Sequence, residues 1–244
     1  MEQKPKPHSG PTQSKQYLKR RGDLIGPYEV QSLLGAGMEG TVYRTVDLRT
    51  GDICSVKLIR GRRMEGEAAH TARYYQALGQ VEGLKRFREW GVVDAEPSVG
   101  RRPWLAFDYI PGQTLPRFLA ATPSVALRPL IRELCEVVTA IHRYRLGVGD
   151  FDRGRNVLVE SGTGRLVLCD LDAGVAGARN RDRHADLAEL ASLSRLMYRT
   201  SRLPMDAEVA TAFNEARSVA DVCRRLAPLA VRSRLPARPI AQPP

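Results

Sequence analysis

The feature that most limits the possible folds is a glycine-rich segment, LLGAGMEGTVYR, at residues 33–44. Its glycines follow the spacing G-x-G-x-x-G, and backbone N–H groups in such a loop can approach phosphate oxygens closely. These glycines are Gly35, Gly37 and Gly40. In a dinucleotide-binding fold a helix would begin at the last glycine. Here residues 41–43, Thr-Val-Tyr, prefer strands. The segment therefore predicts a strand–loop–strand hairpin, which is either a phosphate-binding loop or a simple glycine-rich bend.

A lysine within an apolar strand is the second constraint. The segment CSVKLI at residues 54–59 places Lys57 between apolar neighbours, and RTG at residues 49–51 predicts the turn before this strand. A cation in such a strand needs an anionic partner. The candidates are Glu65 or Glu67 in the next predicted helix, and the phosphate of a bound nucleotide.

The apolar pattern changes once along the chain. Residues 27–60 show the pattern of short strands, residues 65–78 that of a helix, and residues 104–110 that of another strand. Residues 126–145 carry a helical apolar stripe, and a hairpin is predicted between NVLVE and RLVLCD. A β-rich half is therefore expected to precede an α-rich half.

Residues 27–60 resemble the N-lobe of a protein kinase of the bacterial serine/threonine type, because the glycine loop and the lysine of the following strand occur in that order. The resemblance implies a bilobal α+β fold with ATP bound between the lobes. It also implies that Lys57 holds the α- and β-phosphates and pairs with a helix glutamate. Glu67 is preferred over Glu65, although the spacing does not decide between them. The implied divisions are a disordered basic tail over residues 1–24, an N-lobe over 25–110, a reduced C-lobe over 111–227 and a Pro- and Arg-rich tail over 228–244.

The segment WLAFDYIPGQTL at residues 104–115 resembles the hinge of the same family. The resemblance implies that Phe107 is the gatekeeper and that the backbone from Asp108 to Ile110 contacts adenine. The implied walls of the adenine slot are Leu34, Val42, Ser55 and Leu158.

The segment GDFDRGRN at residues 149–156 takes the place of the family's catalytic loop. By resemblance, Asp150 accepts the hydrogen bond of the substrate hydroxyl and Asn156 holds a metal ion. Val148-Gly149 replaces the usual His-Arg, and five residues instead of four separate Asp150 from Asn156. Either the loop bulges by one residue or Asp152 shares the work.

The metal-binding motif of the family is also altered. Asp170-Leu171-Asp172 stands where D-F-G is expected, and Asp170 directly follows an apolar strand, where a carboxylate can bind Mg²⁺. Only a short segment precedes the next helix and no A-P-E follows, so the C-lobe is predicted to be minimal. Asp186 either braces the catalytic-loop backbone or is a solvated residue at a helix N-terminus. His142 is expected to pack against the core or to cap its own helix.

Composition limits the remaining function classes. The net charge of +11 favours anionic partners, but the basic residues are spread along the chain, so a specific nucleic-acid interface is not expected. The cysteines form no CxxC pair and are predicted to be buried free thiols in a reducing, cytoplasmic compartment; they are Cys54, Cys135, Cys169 and Cys223. No transmembrane segment and no secretory signal are predicted.

The main prediction is an ATP- and Mg²⁺-dependent phosphotransferase that acts on protein Ser/Thr hydroxyls. A kinase for a small-molecule or lipopolysaccharide-type acceptor is the alternative among enzymes, because a minimal C-lobe offers less surface for a peptide. A nucleotide-binding pseudokinase without turnover is favoured by the altered catalytic and metal-binding motifs. The sequence contains no signal for an oligomeric state.

Overall fold

The computed structural model describes residues 18–37, 39–60, 65–79, 81–94, 100–149, 151–171 and 183–227 of the 244-residue chain. Predictions for residues 1–17, 172–182 and 228–244, and for Asp150, lie outside the described residues.

One half of the molecule is a six-stranded antiparallel sheet with the order β1-β2-β3-β4-β6-β5. Its strands are β1 (Leu24–Ile25), β2 (Tyr28–Ala36), β3 (Gly40–Asp47), β4 (Ile53–Ile59), β5 (Phe87–Asp94) and β6 (Arg101–Asp108). Helix α1 (Glu65–Ala77) packs against β5 and β6. The sheet therefore offers one face to its own small core and the other to α1 and the rest of the molecule.

Strand alternation decides which residues lie on which face, since residues two apart point the same way. Tyr43, Val56 and Trp104 belong to the core on the outer face. Ile59 and Phe107 belong instead to the large core that continues into the helical half. On β4, Lys57 lies two residues before Ile59 and therefore shares its face of the sheet. The side chain of Lys57 is thus directed toward the helical half.

The second half combines helices with a three-stranded antiparallel sheet of order β7-β8-β9. Its elements are β7 (Gly112–Thr114), α2 (Leu115–Ala121), α3 (Leu127–Arg143), β8 (Val157–Glu160), β9 (Leu166–Leu168), α4 (Arg183–Thr200), α5 (Ala207–Glu215) and α6 (Val219–Leu226). The apolar stripe predicted on α3 is buried along the length of the helix. The predicted α+β class, with a β-rich half before an α-rich half, is confirmed.

The N-terminal boundary needs a correction. Residues 18–24, which the sequence places in a disordered tail, are bonded to the sheet in the structure. The backbone N–H of Lys19 donates to the Tyr43 hydroxyl at 3.0 Å, and that of Gly22 donates to the Val30 carbonyl at 2.9 Å. The chain is therefore bonded to the sheet from Lys19 onward, before the predicted boundary at residue 25.

Candidate active site

Lys57 lies at the meeting point of the two halves. Its side chain is 16% exposed, and its Nζ lies 2.6 Å from Asp170 Oδ2 and 2.8 Å from Glu39 Oε2. Burial by itself would lower the pKa of Lys57, but the negative charges of Asp170 and Glu39 raise it above its ordinary value. The predicted convergence of this lysine and the metal-candidate aspartate is therefore present.

Asp170 follows β9 and is held through its neighbours in the chain. The Tyr75 hydroxyl on α1 donates to the Cys169 carbonyl at 3.1 Å and accepts from the Leu171 N–H at 3.1 Å. Tyr75 is buried, and its two bonds clamp the backbone on both sides of Asp170. Burial raises the pKa of Asp170, whereas Lys57 opposes that shift. Sequence reasoning missed Tyr75, although its spacing from Ala68 and Ala72 could have indicated the inward face of α1.

The predicted pairing of Lys57 with Glu67 is not formed. The residues of α1 that face inward are buried and carry no carboxylate; they are Ala68, Ala72, Tyr74 and Tyr75. Glu67 lies off this face and is partly exposed. Glu65 lies 3.7 Å from Arg101 instead. The counter-ion on the N-lobe side comes from Glu39 in the glycine loop, a residue that the sequence analysis did not consider.

The glycine loop is a strand–loop–strand hairpin, as predicted. The Gly37 N–H donates to the Gly40 carbonyl at 2.9 Å and closes the turn between β2 and β3. A Cβ at Gly40 would lie 2.4 Å from the Leu58 carbonyl oxygen, so the close approach of β4 requires glycine there. A Cβ at Gly35 or Gly37 would meet nothing within 4 Å. Packing within the described chain therefore does not explain these two glycines.

The predicted adenine walls are brought only partly together. Val42 is paired with Lys57, and Ser55 with Phe107, so these side chains share one face of the sheet. Ser55 is buried, and its hydroxyl donates to the Asp108 carbonyl at 3.4 Å.

The two remaining wall candidates lie on other elements. Leu34, near the end of β2, is 47% exposed. Leu158 belongs to β8 of the helical half, where it is paired with Thr114 and Val167.

The predicted hinge follows β6. The Asp108 carboxylate is held by Arg88, whose Nε lies 2.6 Å from Oδ1, and the Asp108 N–H donates to the Arg86 carbonyl at 3.0 Å. Among the described residues no hydrogen bond uses the backbone N–H of Ile110. The backbone N–H of Ile110 is therefore one donor of the predicted hinge that no bond within the described residues uses.

Asp186 braces the backbone of the predicted catalytic loop. It is buried, and its two carboxylate oxygens accept from the Val148 N–H at 2.9 Å and the Gly149 N–H at 3.0 Å. Its Oδ2 also lies 2.7 Å from His142 Nε2. Asp186 is thus not a solvated helix residue, and His142 binds it instead of capping its own helix. Asp150 itself lies outside the described residues.

Within the predicted catalytic loop, Asp152–Gly154 forms a short 3₁₀ turn whose φ angles of 41°, 53° and 87° are all left-handed. Such angles strain residues that have a Cβ. The Asp152 carboxylate lies 3.9 Å from Arg155.

After this 3₁₀ turn, Asn156 lies beside the strand that leads to Asp170. The Asn156 carbonyl accepts from the Cys169 N–H at 2.8 Å. The two predicted metal ligands, Asn156 and Asp170, are therefore carried on directly bonded segments. In the described ranges no group of three or more His, Cys, Asp or Glu side chains is arranged to hold a metal ion.

The cysteines are free, but only Cys54 and Cys135 are fully buried. Cys169 and Cys223 are partly exposed, which corrects the prediction for these two thiols. None of the helices in the described ranges combines the length and the apolar character needed to cross a membrane.

Sequence comparisons relate this chain to serine/threonine-protein kinases. No protein-family model matches the chain. The serine/threonine-protein kinase AfsK of Streptomyces coelicolor is 29% identical over 158 residues, which are 64% of this chain and 19% of AfsK. The probable serine/threonine-protein kinase PkwA of Thermomonospora curvata is 33% identical over 143 residues, which are 57% of this chain and 19% of PkwA. The chain thus spans about a fifth of the length of these relatives.

Among solved structures, the PknI kinase domain of Mycobacterium tuberculosis superposes with a TM-score of 0.63 at 15% identity. The match covers 86% of this chain and 96% of that domain. At this identity the likeness concerns the fold, and it confirms the bilobal kinase-like architecture that the sequence predicts.

Proposed function

We propose that this chain, a member of the protein kinase-like superfamily, binds ATP together with Mg²⁺ between its two halves and transfers the terminal phosphoryl group to Ser/Thr hydroxyls of proteins. The observation that carries the proposal is the 2.6 Å contact between Lys57 Nζ and Asp170 Oδ2, two residues 113 positions apart in the sequence. A cation for phosphate and a carboxylate for a metal ion are the groups that phosphoryl transfer needs on the protein side.

Each residue has a definite task in this proposal. Lys57, already ionised and desolvated, exchanges its carboxylate partners for phosphate oxygens and orients them. The glycine loop lies over the phosphates, since its backbone at Gly35 and Gly37 is open to a ligand. The hinge presents the N–H of Ile110 to adenine. Asp150 accepts the hydrogen bond of the acceptor hydroxyl, on a loop whose preceding residues are fixed by Asp186.

The side chains of Asn156 and Asp170 are of the types that bind a magnesium ion. Asn156 and Asp170 supply an amide and a carboxylate oxygen from neighbouring segments, and Mg²⁺ in phosphate sites is usually held by one or two carboxylates together with the phosphates. When bound, Mg²⁺ would offset the negative charge that develops on the phosphate oxygens. Tyr75 keeps Asp170 in place through the backbone on either side of it.

A nucleotide-binding pseudokinase is the second candidate. It is favoured by the inward face of α1, which offers Lys57 no carboxylate, and by the left-handed turn at Asp152–Gly154. A protein acceptor is preferred over a small molecule because AfsK and PkwA are named serine/threonine-protein kinases.

The test measures ATP binding by calorimetry and phosphoryl transfer by autophosphorylation and with a generic protein acceptor, both with Mg²⁺. Lys57→Met and Asp170→Asn should lose transfer, and Asp150→Asn should lose transfer while it retains ATP binding. Lys19→Met and Asp52→Asn are the matched controls and should behave like the wild type. Binding without transfer in the wild type would support the pseudokinase, and absence of ATP binding would refute the proposal.

A further inference from the structure

Lys85 is a second lysine at the inner wall of the same cleft. It lies in the segment between α1 and β5, where its N–H donates to the Leu168 carbonyl at 2.9 Å, and Leu168 N–H donates to the Gly83 carbonyl at 2.8 Å. These bonds fasten Lys85 to β9, two residues before Asp170. Its Nζ lies 5.1 Å from the centroid of the Phe107 ring, the predicted gatekeeper.

Within the described ranges the ammonium group of Lys85 forms no hydrogen bond or ion pair. The residue as a whole is only 9% exposed, but its Nζ is not among the fully buried polar atoms without a partner, so this atom keeps some contact with solvent. The charged or titratable groups that act on it are Cys169, Asp170, Lys57 and Asp108. Burial lowers the pKa of Lys85, and the charge of Asp170 opposes this shift.

A cation on a largely buried side chain destabilises a fold unless it is paired, and replacement by an apolar side chain of similar volume is often neutral or stabilising. The contact with Phe107 compensates only partly, because a cation–π contact is weak compared with the loss of hydration. Packing alone therefore does not explain a lysine at this position. A negatively charged ligand in the adjoining cleft does explain it, because an anion is what a buried cation lacks.

We infer that Lys85 is a second cationic determinant of nucleotide binding, which favours nucleotides in proportion to their negative charge. This inference rests on the proposed function. Lys85 acts from behind Phe107 and past Asp170 without touching the phosphates, so it is a positioning residue whose effect is electrostatic. Its charge supplements that of Lys57, whose ammonium is shared between Glu39 and Asp170.

The experiment compares the wild type with Lys85→Met, which keeps the length of the side chain and removes the charge. Dissociation constants for adenosine, ADP and ATP are measured by calorimetry with Mg²⁺, and thermal midpoints are measured without ligand. We expect ATP binding to weaken about fivefold, ADP binding less and adenosine binding less than about twofold, as a long-range charge effect requires. The thermal midpoint should rise by about 2–4 °C. Lys19→Met removes the same charge from the outer part of the sheet and should change none of these values.

The alternative outcomes separate clearly. Equal weakening for all three ligands, or a lower thermal midpoint, would assign Lys85 a packing role and overturn the inference. Unchanged ATP binding would overturn it as well and would leave the proposed function intact. A wild type that binds no nucleotide would refute the proposed function and this inference together. Lys85→Gln, which keeps a polar end, should reproduce the loss of charge discrimination if Lys85→Met fails to fold.

Discussion

The contact between Glu39 and Lys57 predicts that removal of one negative charge from the glycine loop strengthens nucleotide binding. Glu39 Oε2 lies 2.8 Å from Lys57 Nζ, in the position from which a phosphate oxygen would have to displace it. The Glu39→Gln substitution keeps the shape of the side chain and removes the charge. We therefore expect tighter ATP binding in this variant.

The expected magnitude is modest because the pair is not deeply buried. The side chain of Glu39 is 66% exposed and that of Lys57 is 16% exposed. Exposed ion pairs contribute about 0.2–1 kcal/mol, and the repulsion between the Glu39 carboxylate and the phosphates adds about 0.5 kcal/mol after screening. The sum, about 0.7–1.5 kcal/mol, corresponds to ATP binding that is about three- to twelvefold tighter.

Calorimetry with Mg²⁺ and ATP at two salt concentrations provides the assay. The gain in the Glu39→Gln variant should shrink at about 1 M salt, where the screening length falls to about 3 Å. The matched control is Glu65→Gln, which removes a carboxylate that lies 3.7 Å from Arg101 and makes no ion pair with Lys57. Equal or weaker ATP binding in Glu39→Gln would refute the idea that this carboxylate competes with phosphate.

Three further predictions concern the surroundings of the cleft. Tyr75→Phe removes both hydrogen bonds that clamp the backbone beside the metal-candidate aspartate, and should lower the free energy of unfolding by about 1–3 kcal/mol, as measured by urea denaturation; an unchanged midpoint would contradict the clamp. Gly40→Ala places a Cβ 2.4 Å from a carbonyl oxygen of β4 and should destabilise the fold, whereas Gly37→Ala, with nothing within 4 Å, should leave the unfolding midpoint unchanged. The hydrogen bond from Cys135 lowers the pKa of Cys223, whereas burial raises that of Cys169 to about 11. Since the thiolate is the reactive form, alkylation of Cys223 should set in at lower pH than that of Cys169 and precede it in peptide mapping by mass spectrometry; the reverse order would contradict the assignment.

The features that the sequence predicted correctly rest on consecutive residues. The glycine loop, the strand with Lys57 and the stripe on α3 each depend on a local period or on turn residues, and those signals survive in any tertiary context. Asp170, whose metal-binding role stays a prediction, was selected for the same kind of reason, because it directly follows a short apolar strand. The order of these signals along the chain was sufficient to predict an α+β fold with two halves.

The contacts of Lys57 could not be predicted in this way. Its partner depends on which face of α1 turns inward, and the spacing of Glu65 and Glu67 from the lysine does not contain that information. Burial of the Ala68, Ala72 and Tyr75 face turns the helix glutamates away. The sequence also left two alternatives open between Asp150 and Asn156, a bulge of one residue or a shared role for Asp152, because the number of residues in a loop does not fix its backbone angles.

The sequence by itself determined which charged groups this protein has and which local elements carry them. Only the tertiary structure decided which of those charges meet. Glu39 approaches Lys57 because the hairpin folds over β4, and Asp186 reaches the predicted catalytic loop because α4 packs beneath it. The bonds between the segment before β5 and β9 hold Lys85 where it forms no ion pair within the described residues. Ionic contacts between distant residues depend on how the elements pack, and packing is a property of the whole core, whereas secondary structure follows from neighbouring residues in the chain.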